Sequence, residues 1–186
     1  RHSINLTLDY RFDEGSLYNG PRTTRKIKGT DQVKTINWLE NSGFNLIIFG
    51  GSGTPYTKSS RIYGLVAGSR QIQGSINGAR LPWQFRIDAR VDKDFKLKSS
   101  KGKGEDKYLN VYLRINNLLN SMNIMGVYSA TGNPDDDGFL AAAEYQNYIN
   151  SQLDPQSFRD LYSIRINSPY NYSLPRMIRI GVSFNF

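Results

Sequence analysis

Four stretches of this chain alternate apolar and polar residues with a period of two, and no other feature so narrows the folds open to it. In "HSINLTLDYRF" the residues Ile4, Leu6, Leu8, Tyr10 and Phe12 stand opposite Ser3, Asn5, Thr7, Asp9 and Arg11. In "QFRIDARVDKDFKL" Phe85, Ile87, Ala89, Val91, Phe95 and Leu97 stand opposite Gln84, Arg86, Asp88, Arg90, Asp92 and Asp94. "YLNVYLRI" sets Leu109, Val111, Leu113 and Ile115 against Tyr108, Asn110, Tyr112 and Arg114, and "RMIRIGVSFNF" sets Ile178, Ile180, Val182, Phe184 and Phe186 against Met177, Arg179, Gly181, Ser183 and Asn185. Side chains of a strand point to opposite faces in turn, so each stretch predicts a strand with one greasy and one polar face. A fifth, "FNLIIFGGSG", is strand-like but alternates poorly. The 17 Gly, 12 Tyr and 9 Phe agree with an all-β, antiparallel fold.

Two kinds of β protein share this pattern. A soluble sandwich turns its apolar face to a core, whereas a membrane barrel turns it to lipid and keeps the polar face inside. Length favours the barrel: the strands run to about ten residues, the span a tilted transmembrane strand requires, where globular strands run to about five or six. The apolar runs "LIIF" and "LAAA" are too short for a membrane-spanning helix, which needs about 20 residues. On the polar faces Arg86, Asp88, Arg90, Asp92, Arg114 and Arg179 form an expected charge ladder, pairing across strands inside a lumen. The aromatics Tyr10, Phe12, Trp83, Tyr108 and Phe186 fall near strand ends, as an interfacial belt requires.

Five strands do not close a bacterial barrel, which takes an even number and at least eight, and open edges in hydrocarbon are costly. Residues 1–186 are therefore expected to form the C-terminal portion of a larger barrel, beginning in the middle of it. Counting back from Phe186 at the periplasmic face, the strands descend and ascend in turn. The Gly/Ser-rich stretch before "LPWQF" and the long connection between "NLLN" and "SLPRM" then lie outside the cell. The segment from Asp13 to Gly43, read as a loop, falls on the periplasmic side, and "KSSKGKGEDK" is a short charged turn.

The net charge of +8 raises the question of nucleic acid, but no recognition helix or zinc signature accompanies it, so nucleic acid is not an expected partner. The absence of cysteine removes disulfide and thiol chemistry. His2 is the only histidine, which leaves no Ser-His-Asp triad and no two-histidine metal site, and the chain reads as a non-enzyme. "GGSGTPYTKSS" lacks the Gly-Lys-Ser/Thr of a phosphate loop, so Lys58 and Ser59 are not such a pair; Gly53 and Pro55 shape a strand exit. In "NPDDDGFLAAAEY" the residues Asp135, Asp137 and Glu144 are candidate oxygen ligands for Ca2+, although consecutive aspartates do not match an EF-hand loop. The favoured alternative there is a structured external loop, with Asp137 or a neighbour capping a short helix, "FLAAAEYQNYINSQL".

The ordered set "YRF", "YNGP", "SGTPYT", "GSINGARLPWQFRIDARVDKDF", "VYLRINNLLN", "VYSATGNPDDDGFL" and "NSPYNYSLPRMIRIGVSFNF" resembles the C-terminal end of TonB-dependent outer-membrane receptors, most closely the SusC-like branch. The resemblance covers nearly the whole chain. It implies a 22-stranded barrel in a Gram-negative outer membrane, with an N-terminal plug and a TonB box. It also implies partnership with TonB, a SusD-like surface lipoprotein and outer-membrane lipid. Phe184 and Phe186 would carry the signal read by the barrel-assembly machinery. No resident cofactor is implied, and the expected function is uptake of a large nutrient, a glycan or a peptide. Two further functions fit the strands: a non-transporting barrel subunit of a secretion or barrel-assembly complex, and a soluble basic β-domain that binds nucleic acid or an anionic polymer.

Overall fold

The computed structural model describes residues 2–26, 33–60, 62, 71–97 and 107–185. Of these, 44% lie in strands and 16% in helices, and the sheets are antiparallel. The alternating stretches become β1 (Ser3–Phe12), β7 (Gln84–Leu97), β8 (Lys107–Asn116) and β9 (Met177–Asn185), and the poorly alternating one becomes β4 (Ser42–Gly51). Together they form one five-stranded sheet in the order β1-β4-β7-β8-β9. Each strand therefore lies beside the one before it in the up-and-down sequence. The sheet is open, with β1 and β9 at its edges.

The segment between Phe12 and Gly43 is not a plain loop. It contains a second small sheet, β2 (Arg22–Lys26) paired with β3 (Val33–Asn37) in the register Arg22↔Asn37 to Lys26↔Val33. Tyr18 is buried at its base, where its hydroxyl donates to the Pro21 carbonyl at 2.8 Å and accepts from the Leu39 amide at 3.2 Å. The strand exit at "SGTPY" forms β5 (Pro55–Tyr56), which pairs with β6 (Ala79–Arg80). The turn "KSSKGKGEDK" falls almost wholly outside the described residues, and so does Phe186.

The chain divides into two compact units. A sheet unit holds Asn5–Ile48, Arg86–Asn120 and Arg176–Phe186, and a loop unit holds Arg1–Ile4, Phe49–Phe85 and Ser121–Pro175. Within the loop unit, the expected single short helix is two: α1 (Gln146–Asn150), entered through a 3-10 turn at Ala143–Tyr145, and α2 (Pro155–Ile166). The cap of α2 is Asp154, whose carboxylate accepts from the Gln156 and Ser157 amides, with Pro155 at the first helical position. Asp137 turns the chain earlier, accepting from the Phe139 amide at 3.0 Å. Between these elements sits the loop unit's apolar core. Phe139 has 0% of its surface exposed, and the rings of Tyr145 and Tyr162 lie 4.5 and 4.7 Å from it. Ile149 and Ile166 are buried as well.

Candidate functional site

On the five-stranded sheet, apolar side chains are exposed on one face, while two carboxylates of β7 are buried on the other. On the apolar parity Leu6, Leu8, Phe44, Val91, Phe95, Ile178, Val182 and Phe184 are all exposed, and Ile4 and Ile180 reach 67% and 77%. On the polar parity Asp88 and Asp92 are only 7% and 3% exposed. Strand β7 thus exposes Phe85, Val91 and Phe95 and buries Asp88 and Asp92, whereas the polar residues Asp9 of β1 and Arg179 and Ser183 of β9 are exposed like their apolar neighbours.

A buried carboxylate is tolerable only where donors meet it. Asp92 receives Arg90 Nε at 3.3 Å and Arg11 Nη1 at 3.4 Å, with the Asn110 amide at 3.5 Å. Arg11 belongs to β1 and Asp92 to β7, with β4 between them, and the two reach each other because position 43 is glycine. A Cβ built there would stand 3.1 Å from Asp92 Oδ2 and 3.2 Å from Arg11 Nη1. Asp88 is held by Arg86 Nε at 3.2 Å and by the Asn117 backbone amide at 2.9 Å. Asn117 itself has φ 56°, a left-handed turn that asparagine accepts readily, and it ends β8. Beside β1, Asn45 of β4 donates to Asp9 at 3.0 Å.

The charge ladder expected from sequence is present on one face, but its pairs run differently. Arg86 pairs with Asp88 and Arg90 with Asp92 along β7, two residues apart, rather than across to β8 or β9. Across the strands the register aligns like with like: Arg90 faces Arg114, and Arg114 faces Arg179. Among the described residues neither Arg114 nor Arg179 forms an ion pair. In the next row Asp92 faces Tyr112, and Tyr112 faces Gly181. The Tyr112 ring lies against Gly181, where any Cβ would collide with it, and Arg90 sits over the ring at 4.8 Å. The missing side chain at 181 is what lets the ring lie flat and carry the guanidinium.

One residue on the greasy parity of β7 is charged. Lys93, not among the candidates read from sequence, donates to the Trp38 carbonyl at 2.8 Å and the Glu40 carbonyl at 3.0 Å. Its position between Val91 and Phe95 marks it as a cation that reaches a polar rim from an apolar surface. Tyr10 and Phe12 pack edge to face at 4.9 Å at the end of β1, and Trp83 is exposed just before β7.

The acidic loop is spent on hydrogen bonds. Tyr162 donates to Asp137 Oδ2 at 2.6 Å, and Tyr172 donates to Asp135. Burial, then the bond to Asp137, pushes the Tyr162 hydroxyl well above its ordinary pKa; the bond to Asp135, then burial, raises Tyr172. Burial and the charges of Asp137 and Asp135 also raise Tyr128, whose hydroxyl donates to the Ile166 carbonyl at 2.5 Å. Among the described residues no group of three acidic, histidine or cysteine side chains converges for a metal, so Asp135, Asp137 and Glu144 are not brought together as a cation cage.

Comparison with known protein families, curated proteins and solved structures gives no match.

Proposed function

We propose that the chain forms part of the wall of a bacterial outer-membrane β-barrel. The observation that carries this is the inverted sheet: long alternating strands with an exposed apolar face and carboxylates buried on the polar one. In water, the exposed leucines, isoleucines and phenylalanines of β1, β4, β7 and β9 would form an apolar patch far beyond what a soluble monomer tolerates. In hydrocarbon the same face is satisfied, and the Arg11-Asp92-Arg90 network lines the interior. Both sheet edges, β1 and β9, then pair with further strands, since unpaired backbone in lipid costs several kcal/mol per group.

Within that class the particular reading is a TonB-dependent receptor of the SusC-like type, taking up a large nutrient, with plug, TonB and a SusD-like lipoprotein as partners. Its support is the ordered motif set, from "YNGP" to "SLPRMIRIGVSFNF", laid on strands whose succession matches an up-and-down barrel. In this arrangement the connections after β4 and after β8 face outside, and the β2–β3 hairpin faces the periplasm. Phe184 and Phe186 serve the assembly machinery.

The test is fractionation of the native host, followed by extraction. The proposal expects the polypeptide in the outer membrane, released only by detergent, in a chain several times larger than 21.1 kDa. A polypeptide that stays in aqueous solution as a monomer would contradict the barrel. An outer-membrane polypeptide whose deletion leaves growth on every glycan and peptide unchanged would contradict nutrient uptake alone.

A further inference from the structure

The three-arginine row is the feature that the wall reading leaves unexplained. Arg90, Arg114 and Arg179 stand side by side on three adjacent strands, fixed by the registers Arg90↔Arg114 and Arg114↔Arg179. Strands lie about 4.8 Å apart, so the row spans about 10 Å. Like charges directly opposite one another in a sheet repel, and a sheet optimised for stability alone would alternate them. Arg90 is compensated by Asp92 and by the Tyr112 ring. The other two are exposed and form no ion pair among the described residues, while the nearby carboxylates are already engaged: Asp88 by Arg86, Asp92 by Arg11 and Arg90, and Asp94 by Asn110 at 2.6 Å. A cavity of about 340 Å3 opens on the same face, lined by Arg11, Arg90 and Arg114 together with the ion-paired Asp9, Asp88 and Asp92, and large enough for a sugar-sized group; Arg179 lies outside this lining.

We propose that this row is a binding site for oxyanions carried by the incoming solute, with Arg114 and Arg179 as its ligands and Arg90 as the anchored third member. Guanidinium groups take carboxylate or sulfate through two parallel N–H···O bonds; Arg179 Nε donates to Met177 Sδ at 3.1 Å, which leaves its two terminal nitrogens for such a fork. The substrate class this selects is an acidic oligosaccharide, one bearing uronate carboxylates or sulfates at intervals comparable to the strand spacing. A neutral glycan of the same length would gain nothing from the row. The inference deepens the uptake reading and rests on it for the identity of the solute as a nutrient; the binding itself depends only on the row.

The experiment is calorimetric titration of the native full-length protein in detergent with a hexameric oligouronate and with a neutral hexasaccharide of equal length. The expected result is at least tenfold tighter binding of the oligouronate, a preference that weakens as salt rises. In Arg114→Gln/Arg179→Gln the preference disappears while the melting temperature does not fall, because the substitution removes repulsion. Arg86→Gln, outside the row, keeps the preference. Equal affinity for the two hexamers in the wild type, or an undiminished preference in the double variant, overturns the inference. Detergent dependence is scored separately: a soluble protein that still loses oligouronate binding in the double variant would sink the membrane reading and leave the row standing.

Discussion

Two regions of this molecule treat the same kind of residue in opposite ways. In the loop unit Phe139 is wholly enclosed by Tyr145, Tyr162 and their neighbours, and the acidic side chains Asp135 and Asp137 receive tyrosine hydroxyls. In the sheet many isoleucines and phenylalanines stand outside, and the charged Asp92 is buried beneath two partly exposed arginines. The first region obeys the rule for a protein in water, where apolar area is removed from the solvent. The second obeys it only if its outer solvent is not water. On the proposed barrel reading the chain meets two surroundings, an aqueous one for the loop unit and an apolar one for the sheet's outer face.

The sharpest way to break the contrast on the aqueous side is Phe139→Ala. Removing a fully enclosed ring costs about 3–5 kcal/mol. Hydrogen exchange should show loss of protection in α1 and α2, with β7 and β8 unaffected. On the apolar side Ile180→Arg places a cation on the outer face of β9, at a cost of about 2–4 kcal/mol near the middle of a bilayer. Folding titrations into lipid should register that loss; a change within a few tenths of a kcal/mol would mean that water bathes this face.

A smaller effect is expected with pH. Tyr162 is held above its ordinary pKa of 10.0, so the folded state keeps its proton where the unfolded state has lost it. The contribution is fully present below pH 10 and declines as pH rises above it. Melting of the loop unit between pH 8 and 12 should therefore show a fall on the alkaline side that Tyr162→Phe flattens. Smallest of all, Arg114→Glu converts the like-charge row into an alternating one, Arg-Glu-Arg. It should raise sheet stability by about 0.5–1 kcal/mol in chemical denaturation. A loss of similar size would show that the row is already neutralised.

The strands were legible because period two leaves a direct trace in the sequence, and β7 runs over the same fourteen residues, Gln84 to Leu97, that the alternation marked out. The β2–β3 hairpin was not, because "RTTRK" and "VKTIN" are short and almost wholly exposed, and no buried face imposes a pattern on them. The helix α2 carries a readable signal in Asp154-Pro155, a cap followed by proline at the first helical position, whereas Asp137, the cap expected from sequence, instead holds the turn before Phe139. Parity alone puts the charge ladder of β7, β8 and β9 on one face of the sheet. Parity does not give the partners within it, because register decides whether Arg114 meets an acid or another arginine, and the connection of Asn117 to Arg176 between β8 and β9 conceals that register. Gly43 and Gly181 were invisible as site residues for a related reason: each matters only through the side chain that a neighbouring strand lays across it.

The measurement that bears most directly on the sheet uses single cysteines, of which residues 1–186 hold none, with any cysteine elsewhere in the native polypeptide first replaced by serine. Single cysteines at Ile180 and at Ser183, one on each face of β9, are labelled with an environment-sensitive fluorophore in the native protein reconstituted into bilayers carrying nitroxide-tagged acyl chains. The inverted sheet predicts strong quenching by the lipid nitroxides at position 180 and little at 183, with water-soluble quenchers giving the reverse order. Equal quenching at both positions by the water-soluble reagent, with none from the lipid, would contradict it.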